Sequence, residues 1–141
     1  MSTATLETRV TPYFDLADVL GRIALAILFI WSGYSKLVYM AANVAYMKAY
    51  GLALAEVLIW PVALFELFAG LMLVVGWKAR WAALALAVYT AIAGLIFHAY
   101  WSVPADQVLN TQTHFMKNVA IIGGLLFVFA HGPGRFSLER S

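Results

Sequence analysis

The residue of this sequence best placed to do chemistry is Glu66, a carboxylate inside a long apolar stretch. A lone carboxylate in lipid must protonate or find a cationic partner, and ionisable groups at membrane depth are candidates for function. Two interpretations stay open: an ion pair that fixes helix packing, or a group that relays protons or binds a ligand. The candidate partners are Arg22 and Lys36, which share one helical stripe with Gly33. The sequence does not choose between them.

A second group of polar and aromatic residues gathers where the third apolar run ends and the fourth begins. Its members, with the first-run lysine at the same level, are Lys36, His98, Trp101, His114, Lys117 and Asn118. The spacing of the last three is typical of one helical face. The group predicts a ligand-binding pocket that opens outward; the alternative is the interfacial belt of any multispan protein.

A quinone is the cofactor that these residues suit best. Its carbonyls need hydrogen-bond donors, its ring needs an apolar slot beside lipid, and its reduction needs a proton donor. A haem between His98 and His114 is disfavoured, because helix-end placement would leave the ring poorly enclosed. No metal is expected, since no ligand spacing supports one. The chain has no cysteine, which excludes disulfides, thiolate metal sites and dithiol chemistry.

The composition indicates which elements must hold these side chains. Hydrophobic residues make up 64% and charged residues 11% of the 141 residues, against about 25% charged in soluble domains. Apolar runs at about 19–38, 54–76, 80–101 and 114–131 are each long enough for a membrane-spanning helix. They lack the alternation of barrel strands. We therefore predict an all-α integral membrane protein: a polar segment 1–18, a four-helix transmembrane domain within 19–138, and a tail 132–141.

The connections and the basic residues predict a topology. Residues 39–50 are apolar and aromatic and suit a short interfacial helix, whereas 102–113 is a polar loop. On one side lie Arg9, Arg22, Lys78, Arg80, Arg135 and Arg140. On the other side lie Lys36, Lys48 and Lys117. The positive-inside rule then places both termini in the cytoplasm.

Short motifs recur in order along the chain. They are Gly21-Arg22, Phe29 to Lys36, Glu66 with Gly70, Phe97 to Trp101, His114 to Asn118, Gly123-Gly124, and Gly132 to Arg135. Together they resemble the DoxX family of bacterial and archaeal membrane proteins, over Gly21 to Leu138. The resemblance implies a four-helix protein of the bacterial inner membrane. It also implies a redox link, because the family takes its name from a subunit linked to thiosulfate:quinone oxidoreduction.

Two functional hypotheses of different class follow. The first is a redox- or quinone-linked membrane subunit in which Glu66 relays protons and a membrane or periplasmic partner supplies electrons. The second is a non-catalytic assembly factor, anchor or chaperone, in which the pairing of Arg22 and Glu66 is purely structural. No basic patch suggests nucleic acid. Whether the protein is catalytic, and whether it forms oligomers, is left open by the sequence.

Overall fold

The computed structural model describes the backbone of residues 3–139 and the side chains of residues 13–139. Over that range the chain is helical and has no strand, which confirms the all-α prediction. The helices are α1 (Thr3–Val38), α2 (Met40–Ala49), α3 (Ala55–Val75), α4 (Ala79–Phe97) and α5 (Val108–His131), with a 3-10 turn at Tyr100–Ser102. Residues 140 and 141 of the predicted tail, including Arg140, lie outside the described range, as does the side chain of Arg9.

Helix ends differ from the apolar runs where a helix continues into polar sequence. α3 and α4 begin within a residue of their predicted starts, whereas α1 continues back through the segment predicted to be a separate polar region. α5 starts at Val108, so the predicted loop 102–113 is too long. The reason is physical: helical hydrogen bonds form within the backbone and tolerate polar side chains, while hydropathy marks only the lipid-compatible part.

Three helical segments are long and apolar enough to cross a membrane: Ala55–Val75, Ala79–Ser102 and Val108–His131. α1, whose apolar part contains Arg22 and Lys36, is not among them. Many large apolar side chains, such as Trp31, Phe68 and Phe127, are more than half exposed. Such a surface would aggregate in water and suits lipid.

The four long helices pack unevenly. α1 lies closely along α3, and α4 along α5, whereas α3 and α4 touch less extensively. A Cβ atom at Gly33 would lie 2.7 Å from the Ala63 carbonyl oxygen, and one at Gly70 would lie 2.7 Å from Ile30 Cγ1. These two glycines let α1 and α3 approach closely. Since rising positions on α1 meet falling positions on α3, the two helices are antiparallel.

One end of the bundle, which we call the tail end, is closed by the residues after α5. Arg22, only 3% exposed, donates hydrogen bonds to the carbonyl oxygens of Pro133 and, at 2.7 Å, Phe136. The backbone N–H of Leu138 donates to the Val75 carbonyl at 3.0 Å. The tail thus joins the middle of α1, at Arg22, to the end of α3.

Candidate ligand site

The centre of the opposite, open half of the bundle is an ion pair between α1 and α3. Lys36 Nζ lies 2.8 Å from Glu66 Oε2 and 3.1 Å from Oε1. Side chains on a helix lean toward its N-terminus. Because α1 and α3 are antiparallel, Lys36 and Glu66 lean toward each other. Of the two candidate cations, the structure therefore pairs Lys36 with Glu66 and places Arg22 at the tail end.

Two further hydroxyl groups complete the surroundings of the carboxylate. Ser32 Oγ donates to Glu66 Oε1 at 3.0 Å, and the Tyr89 hydroxyl of α4 donates to the same oxygen at 2.7 Å. Lys36 also donates to Ser32 Oγ at 2.7 Å. Glu66 is 2% exposed, so every contact is made where water is scarce. Three polar side chains, Lys36, Ser32 and Tyr89, therefore converge on one buried carboxyl group.

This network forms part of the wall of a cavity of about 460 Å³. The volume falls within the range of small-molecule sites. Most of the wall is apolar. The polar side chains on it are Ser32, Lys36, Asn43, Tyr46, Glu66, Tyr89, Thr90, His98 and Asn118. An apolar slot with a few converging polar groups is the usual form of a ligand site.

α2 and the end of α4 cover the cavity with aromatic rings. Tyr46 stacks on Phe97 with ring centroids 5.4 Å apart, and Tyr50 meets the same ring edge-on at 5.3 Å. Burial and a hydrogen bond with Tyr50 raise the pKa of Tyr46 to about 12, so its phenol stays neutral. Lys48 of α2 pairs with Glu56 of α3 at 2.6 Å. These contacts attach α2 to the bundle.

The residues of the predicted outer cluster separate in the structure. His98 and Asn118 line the cavity together with Lys36. Trp101 and Lys117 are exposed and do not line it. These two residues, which the sequence predicts to bind a ligand, therefore do not reach the cavity.

The two histidines of that cluster form a stack. The His98 and His114 rings are 5.2 Å apart and inclined by only 20°. Stacked rings present their faces to each other, which is not the arrangement of two axial haem ligands on opposite sides of one iron. No cluster of three or more metal-binding side chains occurs among the described residues.

Sequence reasoning missed several cavity residues. Ser32 could have been found, since it lies one turn before Lys36 on the same face. Tyr89 carried only a weak signal, a phenol within an apolar helix, and aromatic residues are common there. Asn43 and Tyr46 reach the cavity because α2 folds back over it, a placement that no local pattern indicates.

The fold and the exposed apolar surface define a multi-pass α-helical membrane protein. Comparison with known proteins makes this specific: the DoxX family model matches residues 17–99, and this chain belongs to the DoxX family. It is 31% identical over 134 residues to the inner membrane protein YphA of Escherichia coli, covering 91% of this chain and 96% of that protein. It is 32% identical over 126 residues to YqjF, another inner membrane protein of the same organism, covering 89% and 92%.

A more distant relative is eukaryotic. The Surfeit locus protein 4 homolog of Schizosaccharomyces pombe is 28% identical over 110 residues, which cover 77% of this chain but 35% of that protein. No solved structure matches the chain significantly. The comparisons agree with the resemblance found from the motifs and with the membrane location of the helices.

Proposed function

We propose that this protein is a four-span subunit of the bacterial inner membrane that binds a quinone in the cavity and acts with an electron-donating partner protein. α1 is the fourth span in this proposal. It lies along α3 for much of its apolar length, and both of its cations, Arg22 and Lys36, are bound inside the bundle. Neither charge then faces lipid, which removes the main obstacle to membrane insertion.

The basic residues orient the protein. Lys78, Arg80 and Arg135 lie at the tail end, where Lys78 pairs with Glu139 at 2.8 Å. The positive-inside rule places the tail end and both termini in the cytoplasm. The cavity then lies in the periplasmic half of the bilayer, within reach of a membrane or periplasmic partner.

The observation that carries the proposal is the Glu66 network in the cavity wall. Reduction of a quinone takes two electrons and two protons to give the quinol. The partner would supply the electrons. Glu66 would relay the two protons one after the other from water to the quinone oxygens, being protonated before each transfer and ionised after it. Lys36, Ser32 and Tyr89 would keep the carboxyl group of Glu66 in position beside the quinone.

Extraction of the purified protein tests the proposal. Protein in mild detergent should carry quinone at a stoichiometry near that of the chain, and Glu66→Gln should lose it. Glu56→Gln is the matched control, because Glu56 is also an α3 carboxylate paired with a lysine, yet its side chain is 72% exposed. Wild-type protein without quinone, also after incubation with ubiquinone, would overturn the proposal.

A second candidate, an assembly factor or anchor, is favoured by the surface of α5. Leu125 is the only residue of α5 that is fully buried. The face of α5 that is turned away from α4 is therefore open to another membrane protein. Chemical cross-linking in native membranes would separate the candidates: a stable protein partner that Glu66→Gln retains, together with absence of quinone, favours the assembly role.

A further inference from the structure

Several apolar residues of the cavity wall are also partly exposed. On α3, Leu58 is 38% exposed; on α4, Ile92 is 53% and Ile96 is 36% exposed. A side chain can line a cavity and meet the surroundings only beside an opening. These three lie on two consecutive helices, α3 and α4, and belong to the apolar surface that suits lipid.

Two of the seams between neighbouring helices are closely packed. Gly33 and Gly70 bring α1 against α3. Between α4 and α5, a Cβ at Gly94 would lie 3.1 Å from Asn118 Nδ2. α3 and α4 meet midway along their length, where Phe65 meets Tyr89 edge-on with centroids 5.5 Å apart. Both this pair and the pair of α1 and α5 touch less extensively than α1 with α3 or α4 with α5. Three exposed lining residues lie on α3 and α4, against one, Leu28, on α1, which places the opening between α3 and α4.

We infer that the cavity receives its ligand sideways from the bilayer, through a portal between α3 and α4 lined by Leu58, Ile92 and Ile96. The inference deepens the proposed function and rests on it for the identity of the occupant. A ligand that enters from lipid is an amphiphile, and its long apolar tail remains in the portal while its polar head reaches the cavity. The aromatic cover of α2 and Phe97 closes the direct route from the headgroup side.

The charges of the cavity wall determine whether the bound head group of the ligand is charged or neutral. Lys36 and Glu66 neutralise each other, so a charged head would lack a counter-ion among the described lining residues. Desolvation of an uncompensated charge is costly. His98 and Asn118 also line the cavity and bring ring and amide nitrogen atoms to its wall. The head is therefore neutral and carries oxygen or hydroxyl groups that these two side chains bind.

The absence of cysteine from the chain gives a direct test. Ile96→Cys, reconstituted in nanodiscs and modified with a bulky maleimide, should take up long-tailed ubiquinone more slowly by about tenfold or more. Leu95→Cys is the matched control, because Leu95 is 57% exposed on the same helix but does not line the cavity. Leu28→Cys, on α1, tests the opposite seam, since Leu28 lines the cavity and is 43% exposed. Slowing at Leu28 rather than Ile96 would overturn the portal.

A second measurement distinguishes failure of the portal proposal from failure of the quinone proposal. A benzophenone amino acid placed at Ala93, inside the cavity, should capture an amphiphile that mass spectrometry identifies by its tail. Unchanged quinone uptake by the blocked Ile96→Cys protein overturns the portal and leaves the proposed function standing. No quinone binding, with capture of a phospholipid tail at Ala93, overturns the quinone and supports the portal. Neither binding nor capture overturns both.

Discussion

α1 carries two inward-facing cations that the bundle treats differently. Arg22, at the tail end, is 3% exposed and donates to the backbone carbonyls of Pro133 and Phe136. Lys36, beside the cavity, has a side chain that is 17% exposed and pairs with the carboxylate of Glu66. The two cations lie on the same helical stripe, yet one holds the chain together and the other faces a ligand-sized space.

The difference follows from the chemistry of each cation and its partner. A guanidinium is a rigid fork that never loses its proton, so it suits two fixed carbonyl groups. The backbone carbonyl groups that Arg22 contacts do not titrate, so these hydrogen bonds cannot transfer a proton. An ammonium is a compact point charge, and its carboxylate partner can take up a proton. Burial alone therefore does not mark a functional charge; the partner decides.

The largest expected effect comes from breaking the Lys36–Glu66 pair. Glu66→Leu leaves a buried ammonium without its partner, and we expect a loss of about 3–5 kcal/mol in the free energy of unfolding. Lys36→Met combined with Glu66→Leu should recover most of the loss, because an apolar pair replaces an ion pair at little cost. Unfolding in mixed detergent micelles measures both. A double variant as unstable as the single one would show that the pair is not the cause.

Replacement of Arg22 should reduce stability less than breaking the Lys36–Glu66 pair does. It should also loosen the residues after α5. Arg22→Met leaves carbonyl groups of the tail unsatisfied, and we expect a loss of about 1–3 kcal/mol. The tail should also become accessible to trypsin at Arg135. Arg80→Met is the control, because Arg80 also donates to carbonyl groups, those of Phe129 and Ala130, but is exposed. Equal proteolysis of both variants would contradict the role of Arg22.

The close packing of α1 against α3 at Gly33 lies between Arg22 and Lys36 on α1. It can be altered without replacing either cation. Gly33→Ala places a Cβ where it would lie 2.7 Å from a backbone oxygen, and we expect overpacking to cost about 1–3 kcal/mol. It should also weaken quinone retention, because α1 must shift and carry Lys36 with it. Gly21→Ala, on the same helix but with open space around it, should be neutral or stabilising by up to about 1 kcal/mol. Thermal unfolding of both variants measures these effects. If Gly33→Ala proved as stable as Gly21→Ala, the close approach of α1 and α3 at Gly33 would be refuted.

The smallest expected effect is a pH dependence at the tail end. Hydrogen bonds from the Lys78 side chain and backbone N–H lower the pKa of Glu139. Because the pKa of Glu139 is lower in the folded than in the unfolded protein, its contact with Lys78 stabilises the folded state. This stabilisation is present above the unfolded pKa, about 4.3, and is lost as the pH falls through the folded pKa. NMR titration of the carboxyl carbon should show a midpoint below that of an unstructured Glu. Lys78→Gln should raise the midpoint toward the ordinary value without fully restoring it, because the backbone N–H of residue 78 still donates to Glu139. An unchanged midpoint would exclude the side-chain contact.

Much of the architecture was predictable because lipid imposes strict demands on sequence. Spans need about twenty apolar residues, so the cores of α3, α4 and α5 were visible in hydropathy. A lone carboxylate among apolar residues stands out in the same way, which is why Glu66 was found. The first turns of α5 were missed, since Val108 and Leu109 are followed by the polar residues 110–113 and the backbone forms a helix there without a continuous apolar run.

The sequence by itself determined the apolar helices, the buried carboxylate and the two cations able to meet it. Only the tertiary structure decided which cation does. The antiparallel register of α1 and α3, set by the close approach at Gly33 and Gly70, brings Lys36 rather than Arg22 to Glu66. Helix rotation likewise separated the lining residues from the exposed ones in the outer cluster. A local pattern cannot encode such choices, because they depend on how residues distant in the chain pack together.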